Sequence, residues 1–513
     1  MAGPLPQRHS DALKGVGSMN QLPTVNVGLV ASSRGNFPRD LAIRRREELA
    51  ALYEKEFGPI YQCPILLMGE QDVKPVLQDL REHGVNTLAL FLGNFGPEIP
   101  ESLLAQQFDG PIVLTAAAEE TKGGLFTGRG DAYCGMLNAS YNLGIREVKV
   151  HIPRRPVGTA RQTAKNIAEF LPAARCLLGL RRLKIITFGP RPNDFVACNA
   201  PIQPLFSLGV EIEENSELDL YQAFLQHSGD PRIPQVAASM EQELGGRSQV
   251  PGVLPRLAQY ELTLLDWMEQ HRGDSEYVVF ANRCWPAFEA MFGFVPCYVN
   301  GRLTGRGIPV SCEVDVYGAL SEFIGACITQ EPVSILDINN TVPEDLYREE
   351  IAGKYPDRYE DLFMGFHCGN APVCRMVQPQ LERHKILSRN LGEGEDPSIT
   401  EGTIEGRLTP GEATIFRLQA DASGRLRAYA AEGKILDVPC HSFGSIGIFS
   451  IPELERFYRY GLLEHQYPHH CAVAFQRVGS ALFQVFRYLG VKDIDYNRPA
   501  GERYPEEDPF ARD

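Results

Sequence analysis

Short apolar runs alternate with helical stretches from residue 25 onward, and this alternation limits the folds that the chain can adopt. In the first part of the chain the predicted strands are 25–30, 64–68, 87–92, 111–115 and 148–152, and the predicted helices are 38–57, 73–83, 99–107 and 132–142. Strands that alternate with helices form a parallel sheet with helices on both faces. The sequence therefore predicts an N-terminal α/β domain over residues 23–172, after a disordered lead-in at residues 1–22.

A second α/β pattern follows, and the texture of the sequence changes near residue 345. Strands are predicted at 183–188, 210–213 and 277–281, with a long helical stretch over 217–272. After a Gly- and Glu-rich connection at 390–406, short alternating runs at 413–418, 425–430 and 445–449 indicate antiparallel strands. The predicted fold class is α/β, with two successive parallel-sheet, Rossmann-like domains and a smaller antiparallel β domain with helices. We place the second domain at 173–345 and the third at 346–513.

Length and charge exclude several classes of protein. A chain of 513 residues is long enough for two or three domains and a buried active site. Its net charge of −15, with no basic block, argues against nucleic acid and membrane surfaces as partners. The N-terminus has no apolar signal segment, so we expect a cytoplasmic protein. The 12 cysteines include no CxxC pair with zinc spacing and are interpreted as small, mostly buried apolar residues.

Two acidic residues, Glu313 and Asp337, occupy positions that favour a ligand site. Glu313 follows the strand candidate 308–311 and is expected to open a helix that ends near Thr329. Asp337 is expected to end the strand 333–336 at the carboxyl edge of a sheet, where α/β proteins build ligand sites. Two carboxylates that meet there need a cation. A helix-start acid and a turn residue explain this stretch equally well when it is taken alone.

Histidines near two apolar runs supply a further candidate ligand. His469 and His470 directly precede the apolar sequence Cys-Ala-Val-Ala-Phe, and His367 follows another apolar run. At least one imidazole of the pair is therefore expected to enter the interior, where it needs a partner. A cation held by carboxylates would be such a partner, whereas two solvated surface side chains are the alternative.

Five separated motifs resemble one family in the same order along the chain. They are CEVDVYGAL, DINN, HCG, PGEATIFRL and the His pair that precedes a strand and a helix. This combination resembles the L-fucose isomerase and L-arabinose isomerase group of metal-dependent aldose–ketose isomerases. The resemblance covers most of the chain and is densest over residues 280–496.

The resemblance implies a metal centre and its ligands. Glu313, Asp337 and His470 match the residues that hold a divalent ion in this group, typically Mn²⁺. His367 matches an additional metal ligand of the arabinose branch, so it is a possible further contact to metal or substrate. The donor set of two carboxylates and one imidazole suits Mn²⁺, with Co²⁺ or Mg²⁺ as alternatives. Glu313 and Asp337 are also expected to be the acid/base pair that moves a proton between C2 and C1 through a cis-enediolate.

Further residues are predicted to contact the monosaccharide substrate. Trp285 follows a strand at a sheet edge and could form an apolar wall for a sugar ring, with a plain core residue as the alternative. Arg34 lies in the loop after the first strand, and the resemblance implies that it reaches the sugar of a neighbouring subunit; a solvated loop arginine is the alternative. His469 and Asn339 complete the predicted substrate contacts.

Assembly and the competing functions follow from the same comparison. The resemblance implies a homo-oligomer, a hexamer or a trimer. A non-catalytic sugar-binding or regulatory protein could also be built from two successive α/β domains, but it would not need a His pair in the third domain. A metal-dependent hydrolase could use the same ligands and stays open at this point.

Overall fold

The computed structural model describes residues 21–121, 125–126, 128–385, 401–508 and 510, which form two compact units. One unit comprises Pro23–Leu178 with Arg487–Leu489, and the other comprises Gly179–Phe486 and the residues from Gly490 onward. Most of the predicted lead-in at 1–22 and of the predicted connection at 390–406 lies outside the described residues. The domain boundaries at 172 and 345 stay predictions.

The first unit is built on a parallel sheet of five strands in the order β2, β1, β3, β4, β5. Its elements are β1 (Val27–Ser32), α1 (Arg39–Phe57), β2 (Tyr61–Gln62), α2 (Val73–Glu82), β3 (Thr87–Leu92), α3 (Glu98–Gln107), β4 (Ile112–Ala117), α4 (Ala132–Ile145), β5 (Val157–Gly158) and α5 (Ala160–Leu180). Every residue of β1, β3 and β4 is buried, as expected for a parallel sheet that is covered on both faces. The predicted parallel α/β architecture of this part of the chain is confirmed.

Two edge strands of this sheet differ from the prediction. No strand forms at 64–68, where Leu67 makes only an isolated bridge to Ser32. The edge strand is instead the short β2, which lies just before this segment. Pro64 has no N–H for a ladder at this point. The strand expected at 148–152 is reduced to one bridge between His151 and Val113, and its place at the sheet edge is taken by β5.

The second unit begins with a parallel sheet in the order β7, β6, β8, β9. Its elements are β6 (Leu183–Gly189), α6 (Gln203–Phe206), β7 (Glu211–Ser216), α7 (Glu217–Gln226), α8 (Ile233–Leu244), α9 (Leu254–His271), β8 (Tyr277–Ala281), α10 (Ala287–Phe292), α11 (Cys297–Thr304), β9 (Val310–Ser311) and α12 (Val316–Thr329). The helical stretch predicted over 217–272 is three helices, because the Gly- and Pro-containing segments at 229–231 and 245–252 interrupt it.

The third sheet has nine strands and is mostly antiparallel. The elements are β10 (Ser334–Asn340), α13 (Glu344–Leu346), β11 (Leu362–His367), β12 (Met376–Arg383), β13 (Glu401–Leu408), β14 (Gly411–Ala420), β15 (Leu426–Ile435), β16 (Ser445–Ser450), α14 (Leu454–Arg456), β17 (His470–Ala474), α15 (Gly479–Leu489) and β18 (Ile494–Asp495). The antiparallel sheet and its helices are therefore confirmed, but this part is larger than the small β domain that we predicted.

Six strands of the third sheet close into a barrel. The order β16, β11, β10, β17, β14, β15 returns to its start because β15 also pairs with β16. Asp337 lies within β10, which does not belong to the second parallel sheet and does not end at this residue. Our prediction of a parallel-sheet edge at Asp337 was wrong, because β10 pairs with β11 and β17 in antiparallel ladders.

Helix α12 links the second sheet to the barrel and is almost wholly buried. A helix that is apolar on all sides lies inside a protein, and only its last residue is partly exposed. Among the described residues no helix combines the length and the low polarity that crossing a bilayer requires. The helix carries one acidic residue, Glu322, which is fully buried. Burial raises the pKa of this carboxyl from 4.5 to about 8, with a further contribution from Asp315.

This burial predicts a pH dependence of stability. Between pH 4.5 and about pH 8 the folded protein keeps a proton on Glu322 that the unfolded chain releases. The free energy of unfolding should therefore fall as pH rises through this window, by at most about 1.4 kcal/mol per pH unit from this one group. Glu322→Gln should remove this contribution. The free energy of unfolding of the variant should therefore rise relative to that of the wild type as pH rises. Thermal unfolding of both proteins from pH 5 to pH 8 measures the difference.

The matched control is Glu349→Gln, which changes an exposed carboxylate. Its difference from the wild type should not depend on pH. A constant difference between Glu322→Gln and the wild type over this range would show that Glu322 is ionised in the folded protein.

Candidate metal centre

Glu313 lies in a tight turn between β9 and α12. Glu313 and Val314 both adopt left-handed backbone conformations, with φ of 52° and 55°. Residues other than glycine rarely take this conformation, and it is held here by the strand before the turn and the buried helix after it. The helix begins at Val316 with Asp315 as its N-cap, so Glu313 does not open the helix as we predicted. The turn instead places Glu313 in the interior, where the residue is only 8% exposed.

Asp337 and His470 face each other across two strands of the barrel. They are paired residues in the antiparallel ladder of β10 and β17, so their side chains lie on the same face. The Nε2 atom of His470 is 3.5 Å from Oδ1 of Asp337 and 3.1 Å from Oε2 of Glu313. The barrel and the turn thus bring the three predicted ligands together around one imidazole nitrogen.

The other nitrogen of His470 is held by Asp315. Nδ1 lies 2.9 Å from Oδ2 of Asp315, and because a carboxylate only accepts, Nδ1 carries the proton of this hydrogen bond. Asp315 also accepts a bidentate pair of hydrogen bonds from Arg417, both 2.8 Å long. Fixing Nδ1–H in this way sets the tautomer so that Nε2 is the nitrogen that would bind a cation, which is the usual arrangement behind a metal-bound histidine.

Burial and neighbouring charges shift the pKa of each of the three predicted ligands. Burial would raise the pKa of Glu313, but His470 outweighs this and the net shift is downward. Burial raises the pKa of Asp337 to about 7, with repulsion from Glu313 adding to it and His470 opposing it. Burial would lower the pKa of His470, but Cys198 and Asp315 raise it well above its usual value. A divalent cation at this position would compete with protons for these donor atoms, since metal ligands bind in their deprotonated forms.

The donor atoms fit a cation and are otherwise unsatisfied. Oε2 of Glu313 and Oδ1 of Asp337 are buried, and apart from the imidazoles of His469 and His470 neither has a polar partner among the described residues. Buried acceptors without partners are costly, by about 1–3 kcal/mol each and more when charged. Two carboxylate oxygens and one imidazole nitrogen form a largely hard donor set that suits Mn²⁺, Co²⁺ or Mg²⁺ better than a thiolate-preferring ion.

His367 lies beside this cluster as a neutral imidazole. It ends β11, is 2% exposed, and its ring centroid is 5.9 Å from that of His470. Burial lowers the pKa of His367 to about 4, and its Nδ1 has no hydrogen-bond partner among the described residues. A nitrogen of His367, an oxygen of Glu313 and the sulfur of Cys312 lie within 4.8 Å of one another. His367 thus lies close enough to Glu313 to contact an ion bound by that carboxylate. Its role as a metal contact stays a prediction.

His469 and Asn339 lie where the cluster meets solvent. The His469 side chain is 36% exposed, and its Nε2 is 3.7 Å from Oδ1 of Asp337. Asn339 is exposed and follows Asp337 by two residues on β10, so both side chains lie on one face of the strand. The ring of Phe195 packs edge-on against His469 with centroids 5.5 Å apart. A partly exposed His469, packed against Phe195, therefore lies beside Asp337.

Trp285 and Arg34 are not part of this cluster of side chains. Trp285 is half-buried and packs against Cys284, Val295 and neighbouring cysteines. Arg34, in the first unit, stacks on Phe95 with 4.3 Å to the ring centroid and forms an ion pair of 2.9 Å with Glu98. Within its own unit Arg34 is thus a partly exposed, well-anchored side chain. The predicted substrate contacts of both residues stay predictions.

The residues that orient His470 had no role in our interpretation of the sequence. Asp315 and Arg417 stand inside the motifs CEVDVYGAL and PGEATIFRL, and Cys198 Sγ lies 3.4 Å from Nδ1 of His470. An arginine within an apolar strand was the available signal, because a buried guanidinium requires a carboxylate partner. Cys198 lies 272 residues from His470 and offered no signal in the sequence.

Comparison with known proteins adds independent information. Residues 28–181 match the family model described as the fucose/sulfoquinovose isomerase N-terminal domain. Residues 365–496 match the model described as the L-fucose isomerase C-terminal domain. The second match includes His367, Arg417, His469 and His470, and the two matches together cover more than half of the 513 residues.

Curated relatives carry one name. The chain is similar to sulfoquinovose isomerase of Priestia aryabhattai, with 25% identity over 335 residues, or 63% of this chain and 66% of the relative. It is 26% identical over 276 residues to sulfoquinovose isomerase of Clostridium sp. (strain MSTE9), covering 53% of this chain and 56% of the relative. The chain thus spans less than two thirds of the length of each of these relatives. Because both domain models match, the chain belongs to the fucose isomerase-like family.

Proposed function

We propose that this protein is a metal-dependent aldose–ketose isomerase that acts on a monosaccharide. The observation that carries the proposal is the convergence of Glu313, Asp337 and His470, with two unpaired carboxylate oxygens and an oriented imidazole nitrogen. Membership of the fucose isomerase-like family supports the same reaction class. We propose Glu313, Asp337 and His470 as the ligands of a Mn²⁺ ion, with Co²⁺ or Mg²⁺ as alternatives.

The metal would supply one kind of chemistry. When bound, it would polarise the oxygens on C1 and C2 of the sugar and lower the pKa of the hydroxyl beside the carbonyl. A donor set of three protein ligands leaves positions open for such oxygens, because Mn²⁺ and Mg²⁺ favour about six ligands.

Glu313 and Asp337 would move the proton. One carboxylate would remove the proton from C2 of the aldose; the electron pair of that C–H bond would form the C1–C2 double bond and the carbonyl pair would move onto O1, giving a cis-enediolate. Transfer of the C2 hydroxyl proton to O1 and return of a proton to C1 would then give the ketose. The opposite shifts in pKa of Glu313 and Asp337 support this division into base and acid, without assigning either to one carbon.

Asp315 and Arg417 would act as positioning residues. The bidentate Arg417 keeps Asp315 charged, since it lowers the pKa of that carboxyl although burial would raise it. Asp315 in turn fixes the tautomer and the direction of His470. Phe195 would exclude water on one side. His469 and Asn339 would offer polar contacts to sugar hydroxyls.

Substrate and assembly are proposed more broadly. The relatives are named for sulfoquinovose, so sulfoquinovose is the first aldose to test, before L-fucose, L-arabinose and D-arabinose. A homo-oligomer, a hexamer or a trimer, and a cytoplasmic location stay our predictions. The receptor and hydrolase alternatives are distinguished by the first experiment.

The function and the route of the hydrogen can be tested together by proton NMR in heavy water. With Mn²⁺ and the panel of aldoses, we expect one or more sugars to form the corresponding ketose, with deuterium at C1. Deuterium enters because a proton held by a carboxylate can exchange with water before it returns to carbon, whereas a transferred hydride cannot. The matched control is Glu313→Gln, which should form no detectable ketose.

Three outcomes would count against this proposal. Ketose that retains all of the C2 hydrogen over many turnovers would contradict the enediolate. Sugar binding without any ketose formation would favour a receptor, and ester cleavage in place of isomerisation would favour a hydrolase.

The dual role of Asp337 can be tested by Asp337→Asn, which keeps the shape of the side chain and removes its charge. Mn²⁺ affinity should fall, and kcat at saturating Mn²⁺ should still be lower by about 10²–10⁴-fold because a general acid/base is lost. Kinetics over a Mn²⁺ titration separate the two effects. Asp274→Asn, an exposed change before β8, is the control that should alter neither. Full activity of Asp337→Asn at excess Mn²⁺ would leave Asp337 as a ligand only.

A further inference from the structure

Three buried cysteines gather at one edge of the second parallel sheet, and we call Cys284, Cys297 and Cys312 the thiol cluster. Cys312 directly follows β9, and Cys284 lies three residues after the end of the neighbouring parallel strand β8. The carboxyl ends of parallel neighbours meet at one edge, which brings these two residues together. Cys297 is the first residue of α11, whose start lies at the same place. None of the three is more than 2% exposed.

The distances in the thiol cluster match a tetrahedral ion site. The sulfurs of Cys284 and Cys312 are 3.9 Å apart. Around Zn²⁺, with bonds of about 2.3 Å to sulfur, two thiolates of a tetrahedron are separated by about 3.8 Å. The sulfurs of Cys284 and Cys297 and a ring nitrogen of His384 all lie within 4.8 Å of one another. Cys312 is close to Cys284 but does not belong to this group of three, so its sulfur would have to move toward Cys297 and His384 for four donors to share one centre.

Packing alone does not explain why His384 is buried. It directly follows β12, is 1% exposed, and neither of its ring nitrogens has a hydrogen-bond partner among the described residues. Buried polar groups in native proteins are almost always hydrogen-bonded or bound to a metal. Burial lowers the pKa of His384 to about 4, so the ring is neutral, which is the form that binds metals.

The surroundings favour a closed site for a soft ion. Val295 and the half-buried Trp285 pack against the thiol cluster and shield it from solvent. Cysteines that serve only as small apolar residues would account for the buried sulfurs, but they would not leave an imidazole with two unpaired nitrogens against them. Two or three thiolates with one imidazole form a donor set that selects Zn²⁺ over the hard ions proposed for the carboxylate site.

We propose that Cys284, Cys297, Cys312 and His384 bind one structural zinc ion. Binding would release the thiol protons as the thiolates form, with no change of oxidation state. The ion would tie the edge of the second sheet to the start of α11 and to the end of β12. Because Cys312 directly precedes Glu313, the ion would also anchor the turn that carries this carboxylate.

The test is the metal content of the full-length protein, purified from zinc-supplemented cells and dialysed against EDTA to remove weakly held ions. The wild type should retain about one zinc per chain. Cys297→Ala and His384→Gln should each lose most of this zinc. Cys440→Ala, which removes a buried thiol outside the cluster, should retain it. Glu313→Gln should also retain it, so the readout is independent of the proposed isomerase activity.

A second measurement uses the wild type and does not depend on how the variants fold. Protein prepared with Co²⁺ in place of zinc should show thiolate-to-cobalt charge-transfer bands and the intense visible bands of a tetrahedral ion. Two results would overturn the proposal: wild-type protein free of zinc that gives no such cobalt spectrum, or a Cys284–Cys312 disulfide in the protein as isolated, found by mass spectrometry without reduction.

Discussion

The carboxylate of Asp315 is the point on which the geometry of the metal centre depends. It caps α12 through the N–H of Gly318, accepts two hydrogen bonds from Arg417, and holds Nδ1 of His470. All these groups are buried, so removing one partner would leave a charge uncompensated, at a cost of about 3–5 kcal/mol. The same contacts that join the helix to the barrel therefore orient the imidazole. Stability and the direction of His470 have one physical cause.

The site forms where two different sheets meet. Glu313 comes from the turn after the last strand of the second parallel sheet, whereas Asp337 and His470 come from neighbouring strands of the barrel. Antiparallel pairing fixes Asp337 against His470, and the buried helix α12 fixes the turn of Glu313 against both. Burial raises the pKa of Asp337, with repulsion from Glu313 adding to it, and a divalent cation at this position would oppose both effects.

Sequence reasoning predicted the elements better than it predicted how they assemble. The strands Thr87–Leu92 and Tyr277–Ala281 were predicted with the bounds observed, because their apolar runs and flanking turns are strong. The strand of Asp337 was assigned to the wrong sheet, since a short apolar run gives no information on its partners. Asp315 and Arg417 were missed because an ion pair 102 residues apart in the chain leaves only an arginine in an apolar strand as its trace. The thiol cluster has no zinc-like spacing, so only the fold brings its members to His384.

The central claim is that Glu313, Asp337 and His470 hold one divalent ion, and anomalous diffraction from crystals soaked in Mn²⁺ tests it most directly. The account predicts one strong peak at the manganese edge, about 2.0–2.4 Å from an oxygen of each carboxylate and from Nε2 of His470. A peak that lies beyond bonding distance of one or more of the three residues would contradict the account. So would the absence of a peak at this position with saturating Mn²⁺.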